Sequence, residues 1–159
     1  MSVKQVDVNE LKKSALQIRR EIIEAVSRAG CGHPGGSLSA VEIFTALYGY
    51  KMRHDPKNPA WEGRDRLIIS KGHCSPVAYA ALSHYGYFPK KEMEGYRTYG
   101  SRLQGHVHVN APGIEFSTGS LGHGLSVANG IAIGAKLLKK DIRVYCLLGD
   151  GEIQEGSVW

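Results

Sequence analysis

Long apolar runs are missing from this 159-residue chain, and so are any excess of acid and any paired cysteines. The longest uncharged stretch, 116–135, is interrupted by five glycines, a histidine and an asparagine, which argues against a membrane span. No apolar signal segment opens the chain. Cysteine is limited to Cys31, Cys74 and Cys146, an odd number without paired spacing. That excludes a disulfide framework and predicts the reduced thiols of a soluble, cytoplasmic protein. Cys146 lies in an apolar run and reads as a small buried hydrophobe. The net charge of +5 arises where residues 51–102 carry ten Lys/Arg against five Asp/Glu. These charges are interleaved, as in Glu62-Gly-Arg-Asp-Arg66, which describes a solvated face and not a nucleic-acid stripe.

What the chain does have is glycine, 20 residues where average usage predicts about 11. Twelve of them fall between Gly95 and Gly156 with no three-residue period, so collagen is excluded and ligand-facing loops are favoured. A mass of 17.3 kDa, 42% hydrophobic and 22% charged residues fit one folded domain.

Periodicity predicts a helix from Asp7 or Asn9 to Gly30, with Leu11, Ala15, Ile18, Ile22, Val26 and Ala29 on its inner face. A loop over 31–37 follows, then a second helix to about Tyr50 started by a Ser39/Glu42 capping box. Residues 51–66 read as a surface connection, 67–69 as a buried strand, and 75–85 as a helix closed by Gly86. A short helix starts at Pro89, and 95–119 is irregular. A long helix is expected from about Gly124 to Lys140, with Leu125, Ala128, Ala132, Ala135 and Leu138 inward. Its Gly130 and Gly134 suggest the close approach of another backbone. A buried strand, 143–148, ends in Gly149-Asp150-Gly151. Helices alternating with strands whose ends carry glycine-rich loops predict an α/β fold, a parallel sheet with helices on both faces. Two strands are few for such a sheet, so the chain is expected to be part of a domain, incomplete at its C-terminus.

Three groups of residues can carry chemistry. Asp150, between two glycines at a strand end, suits a hard cation such as Mg²⁺, although Asp-Gly is also a common turn. Glu152 and Glu155 follow with no cation near in sequence, so an anionic ligand would reach this loop only through a metal. His33, His73, His106 and His123 lie beside glycines, where imidazoles can donate to phosphate or move protons. His106-x-His108 is half of a zinc site without a third ligand at a recognised spacing. Gly119-Ser-Leu-Gly-His-Gly124 resembles a helix start with free N–H groups, favourable for an anion. It is neither a dinucleotide fingerprint nor a P-loop.

In order, Gly32-His-Pro-Gly35, Ser70-Lys-Gly-His73, Gly105-His106, Gly119-Ser-Leu-Gly122 and Gly149-Asp-Gly-Glu-Ile-Gln-Glu-Gly156 resemble the N-terminal section of a transketolase. The resemblance runs from about Leu11 to Trp159. It implies a thiamine diphosphate-binding fold, with residues 1–159 forming the N-terminal part of the diphosphate-binding domain. It implies thiamine diphosphate and Mg²⁺ (or Ca²⁺ or Mn²⁺) as cofactors, with Asp150 a metal ligand. Gly151, His73 and the backbone of Gly119, Ser120 and Leu121 would contact the cofactor. His33 and His106 would be catalytic, facing the donor sugar and moving protons. Glu155 matches a glutamate near the subunit contact.

The chain departs from the family's pattern at several points. The asparagine that completes the metal shell is not reached, Gly36 replaces a serine of some relatives, and His123 replaces a common glutamine. The glutamate that activates the cofactor belongs to a pyrimidine-binding section. The resemblance therefore implies a split enzyme of the pentose phosphate pathway. The expected partners are a second copy of the chain, sugar phosphates and a C-terminal, pyrimidine-binding subunit, with no nucleic acid and no membrane. Dihydroxyacetone synthase, deoxyxylulose-phosphate synthase and sulfosugar transketolases are homologous branches. The alternatives are a histidine-rich metallohydrolase using His106 and His108, and a non-catalytic cofactor-binding or assembly subunit.

Overall fold

The computed structural model describes residues 6–159. Helix α1 (Val8–Ala29) starts where Asp7 Oδ1 accepts the N–H groups of Asn9 and Glu10, at 2.9 and 3.2 Å. It ends at Gly30, left-handed at φ 66°, a conformation open to glycine without a Cβ penalty. Its Ile18 and Ile22 are fully buried and join Val41 and Phe44 of α3 (Val41–Ala46) in the core.

Between them lies α2 (Pro34–Leu38), a short helix where a loop was expected. Pro34 at its first position suits the helix start, because its missing N–H would be unpaired anyway. The expected capping box does not form. Ser39 Oγ donates backward to Gly36 O at 3.1 Å, Glu42 pairs with Arg19, and Ala40 stands at the N-cap of α3. The helical path continues past α3 as a π turn, Leu47–Lys51.

Strands β1 (Arg66–Ile69) and β2 (Val144–Leu147) pair in parallel, with Ile68 opposite Cys146. Asp65, fully buried, anchors their entry. It accepts N–H groups from Arg53 at 2.9 Å and Arg143 at 2.8 Å and the Arg53 guanidinium at 3.0 Å. Burial alone would raise its carboxyl, but these bonds hold it below the usual range. The segment read as surface connection thus supplies a buried ionic anchor.

Side-chain alternation separates the two faces of the sheet. Leu67, Ile69 and Leu147 enter the main core with α1, α3 and α4 (Ser75–His84). Ile68 is buried outside that cluster, on the face where α5 (His123–Leu137) packs on both strands. Helices therefore cover both faces, as expected. Strand β2 is only half-buried before Leu147, so Cys146 is less enclosed than its apolar run suggested.

Helix α5 ends three residues earlier than expected, and Leu138 is exposed. No described atom outside the helix comes within 4 Å of a Cβ built on Gly130 or Gly134, so the anticipated backbone neighbour is not among the described residues. No helix of the described chain is long and apolar enough to cross a membrane.

Candidate functional site

Both strands run the same way, so the loops after them leave from one sheet edge. Ser70 N–H donates to Leu147 O at 2.8 Å, which sets Ser70-Lys-Gly-His73 beside Gly149-Asp-Gly151. A Cβ on Gly149 would stand 3.6 Å from Lys71 Cδ. The 3₁₀ turn Gly72–Cys74, which carries His73, then leads into α4.

Gly72 is required by packing, since a Cβ there would lie 2.4 Å from Thr118 O. The 106–119 segment is fastened at the same point. Val107 N–H donates to Gly72 O at 3.0 Å and Thr118 Oγ1 donates to Ile69 O at 2.6 Å. The buried Tyr79 phenol donates to His106 O and accepts His108 N–H, at 3.0 and 3.1 Å. These contacts fix the backbone on either side of His106.

Three of the four glycine-flanked histidines meet. The ring centroid of His33 lies 5.4 Å from that of His73 and 5.6 Å from that of His106. Gly119 joins them, because a Cβ on it would be 3.6 Å from His106 Cδ2. Gly36 leaves room for the cluster. A Cβ there would come within 3.0 Å of His73 Nε2.

Burial lowers the affinity of His33 for a proton, and the nearby His106 and Arg97 lower it further. His73 is lowered by burial, then by the charges of His33, Lys71 and His106, with Glu152 opposing. Both rings are therefore neutral near pH 7, each with one N–H to donate and one nitrogen to accept. His33 Nδ1 is buried and finds no hydrogen-bond partner among the described residues. An unsatisfied buried nitrogen in a cluster of imidazoles suits a polar ligand.

The remaining predicted residues sort clearly. Asp150, Gly119, Ser120, Leu121 and Gly151 are exposed on the loops at this edge, and nothing lies within 4 Å of a Cβ built on Gly151. His123 is the exposed first residue of α5, outside the ring contacts of the histidine cluster. His108 turns away, its Nδ1 accepting Asn110 N–H at 3.2 Å. No group of three or more His, Cys, Asp or Glu that could hold a metal is found among the described residues, so His106 and His108 gain no third ligand of these types there. Burial pushes the Cys74 thiol up to about 12 and Cys146 up to about 11, so both are protonated and unreactive.

These observations match a known family. The model of "Transketolase, thiamine diphosphate binding domain" covers residues 11–158. The chain belongs to the transketolase N-terminal family. It is 46% identical over 154 residues to an apulose-4-phosphate transketolase subunit of Actinobacillus succinogenes, covering 95% of this chain and 55% of that protein. It is 42% identical over 160 residues to a 6-deoxy-6-sulfo-D-fructose transketolase subunit of Clostridium sp. (strain MSTE9), covering 100% and 57%. The transketolase of Campylobacter jejuni superposes with a TM-score of 0.89 at 35% identity, covering 95% of this chain and 25% of that one. The chain thus spans a little over half the length of the related subunits and a quarter of the larger enzyme.

The site's residues fit the family's cofactor. The neutral His73 and the side-chain-free positions at Gly119 and Gly151 leave a donor and space for a diphosphate, and the orphaned His33 nitrogen is left for a second polar group beside it. A metal would take Asp150 as its one protein carboxylate here and would complete its shell from oxygens elsewhere.

Sequence reasoning missed several residues of this edge. Lys71 is buried, with its ammonium on Gly36 O at 3.0 Å and Ser39 Oγ at 3.2 Å. Arg97 adopts φ 59°, rare for a side-chain-bearing residue, and packs its guanidinium carbon 3.0 Å from where a Cβ on Gly105 would stand. Glu152, read as one of several loop acids, is buried. The Gly105 of the Gly105-His106 motif was the one available pointer to Arg97.

Proposed function

We propose that this chain is the N-terminal, diphosphate-binding part of a split transketolase of the cytoplasm. Joined by a pyrimidine-binding subunit, it transfers a two-carbon ketol unit between sugar phosphates. The observation that carries the reading is the meeting of His33, His73 and His106 at Gly119, on the sheet edge that also bears Asp150. Thiamine diphosphate, when bound, supplies the carbon nucleophile; the chain's own residues bind, orient and move protons. Asp150 holds the divalent ion, Mg²⁺ in our reading, and His73 with the Gly119–Leu121 backbone and Gly151 holds the diphosphate. His33 and His106 face the sugar, where imidazoles accept a hydroxyl proton or donate to a carbonyl oxygen.

Self-association is supported by the apolar surface of α5, with Ile133, Leu137 and Leu138 exposed. The chain alone is inactive, because the activating glutamate belongs to the partner section.

The test is a titration of thiamine diphosphate with Mg²⁺ on the assembled enzyme, followed by a ketol-transfer assay. Like charges 4 Å apart repel by roughly 4 kcal/mol at an effective dielectric of about 20, so a diphosphate beside Asp150 needs the cation between them. Asp150→Ala should weaken cofactor uptake by at least about 10–100-fold, the cost of merely indirect ligand changes. His106→Ala should spare uptake and lower turnover. Normal cofactor binding by Asp150→Ala would sink the reading.

A further inference from the structure

The start of α5 offers fewer free N–H groups than its sequence suggested, because the protein has already placed an anion there. Glu152 is 3% exposed, in the 3₁₀ turn Glu152–Gln154 after the Asp150 loop. One of its carboxylate oxygens accepts Gly122 N–H at 2.9 Å and the Ser70 hydroxyl. The other accepts Gly149 N–H at 2.8 Å. Ser70 Oγ accepts Gly124 N–H in turn, at 3.1 Å. No ion pair among the described residues includes Glu152.

We infer that Glu152 is a positioning residue of the metal-diphosphate site, tying the end of β1, the start of α5 and the Asp150 loop into one unit. The carboxylate is a single rigid group reached by donors from three separate segments. Remove it, and the buried Gly122 and half-buried Gly149 keep N–H groups with no shared acceptor. Asp150 is next to Gly149, and Gly119–Leu121 runs directly into Gly122. One carboxylate therefore sets the distance between the proposed metal ligand and the proposed diphosphate backbone. Because Glu152 and Ser70 already use Gly122 and Gly124 N–H, those two donors at the helix start are closed to a diphosphate. This role rests on the proposed function, and it assigns Glu152 no contact with cofactor or substrate.

The test uses the assembled enzyme carrying Glu152→Gln, Glu152→Ala or Ser70→Ala. Glutamine keeps the shape but turns an amide N–H₂ toward a backbone N–H, so it should not rescue. Thiamine diphosphate is titrated with Mg²⁺ at a temperature where circular dichroism shows each variant folded. Amide hydrogen exchange of Gly122 and Gly149 is followed alongside. Both Glu152 variants should need about 10–100-fold more Mg²⁺ for half-saturation, with faster exchange at both amides in Glu152→Ala and at one of them in Glu152→Gln. Ser70→Ala should be milder and in the same direction, and it serves if the Glu152 variants do not fold. A purely structural role would lower the unfolding midpoint and leave the half-saturating Mg²⁺ of the folded variants unchanged, overturning the inference. So would rapid exchange of Gly122 and Gly149 in the wild type. If the wild type takes up no thiamine diphosphate, the functional reading fails and this role with it. Failure confined to the position-152 and position-70 variants overturns the role alone.

Discussion

Helices α4 and α5 begin alike and end in different surroundings. Each follows a glycine-histidine step at the functional edge, Gly72-His73 before α4 and Gly122-His123 at α5, and each is apolar on most sides. Nine of the ten residues of α4 are buried, against three of the fifteen of α5. A helix apolar all round needs cover all round. Helix α4 finds it in α1, α2, α3 and the turn at 90–95, where its alanines let neighbours close in. Helix α5 packs chiefly on the two strands. One side of the candidate site thus rests on an internally complete core and the other on a helix with an open apolar flank. The open flank is where the proposed partner, or a second copy, would be felt.

The largest effect should come from placing a charge in each helix in turn. Ala81 is fully buried in α4, and Ala81→Asp leaves an unpaired carboxylate there. A cost of about 3–5 kcal/mol is comparable with a whole domain's stability of about 5–15 kcal/mol. Circular dichroism should show loss of the cooperative unfolding transition. Ile133, 59% exposed on α5, should tolerate the same change within about 0.5 kcal/mol while sedimentation shows weaker assembly. Equal damage at both positions would erase the contrast between the helices.

The next effect tests a tight contact of α5. A Cβ on Gly124 would lie 2.5 Å from the Cα of Ser70, a backbone atom that cannot swing aside. Gly124→Ala should cost about 1–3 kcal/mol, read as a lower denaturation midpoint. A neutral result would mean that β1 and α5 are less closely joined than the structure has them.

Much of this arrangement was legible in the residues, for reasons that differ by region. The apolar period of α1 and its Asp7 and Gly30 ends are local signals, and they held. Strand pairing also followed, since two apolar runs each ending in a glycine loop favour a parallel pair. The capping box failed because Ser39 found Gly36 O one turn back and Glu42 found Arg19 on another helix, competitors that pattern alone does not register. Glu152 was misread for a similar reason. A carboxylate in a run of acids reads as solvated, whereas its burial depends on donors 30 and 82 residues away. The histidine cluster was half legible. Glycine neighbours marked His33, His73 and His106, but they marked His123 equally, and only the packing of α2 and the 106–119 segment separates them.

A smaller effect is expected with pH, on the α4 side of the site. His33 and His73 hold protons less tightly when folded, chiefly because burial disfavours the charged ring. As pH falls through the ordinary value of 6.5, the unfolded state binds protons first, so stability falls on acidification and is kept above that value. Denaturant midpoints measured between pH 7 and pH 5 should drop, and less steeply in His73→Asn. His84 shifts in the same direction and remains in the variant, so the slope should shrink without vanishing. An unchanged slope would mean that His73 is not desolvated at the site.

The smallest effect is also the one that changes sign with assembly. Gly130 and Gly134 lie one turn apart on α5, and a Cβ at either would meet no described atom within 4 Å. Each glycine in a helix costs about 0.5–1 kcal/mol relative to alanine, mainly through backbone entropy. Neither residue has a positive φ, so alanine fits the existing backbone. Gly130→Ala with Gly134→Ala should therefore stabilise the chain by about 1–2 kcal/mol, raising its midpoint by roughly 2–8 °C. In the assembled enzyme the same methyl groups stand where another backbone would approach, and association should weaken. Thermal unfolding of the chain and sedimentation of the assembly separate the two terms. If the double variant is stabilised and assembles as tightly as wild type, the glycine pair does not serve close approach, and the open flank of α5 takes a partner elsewhere along its length.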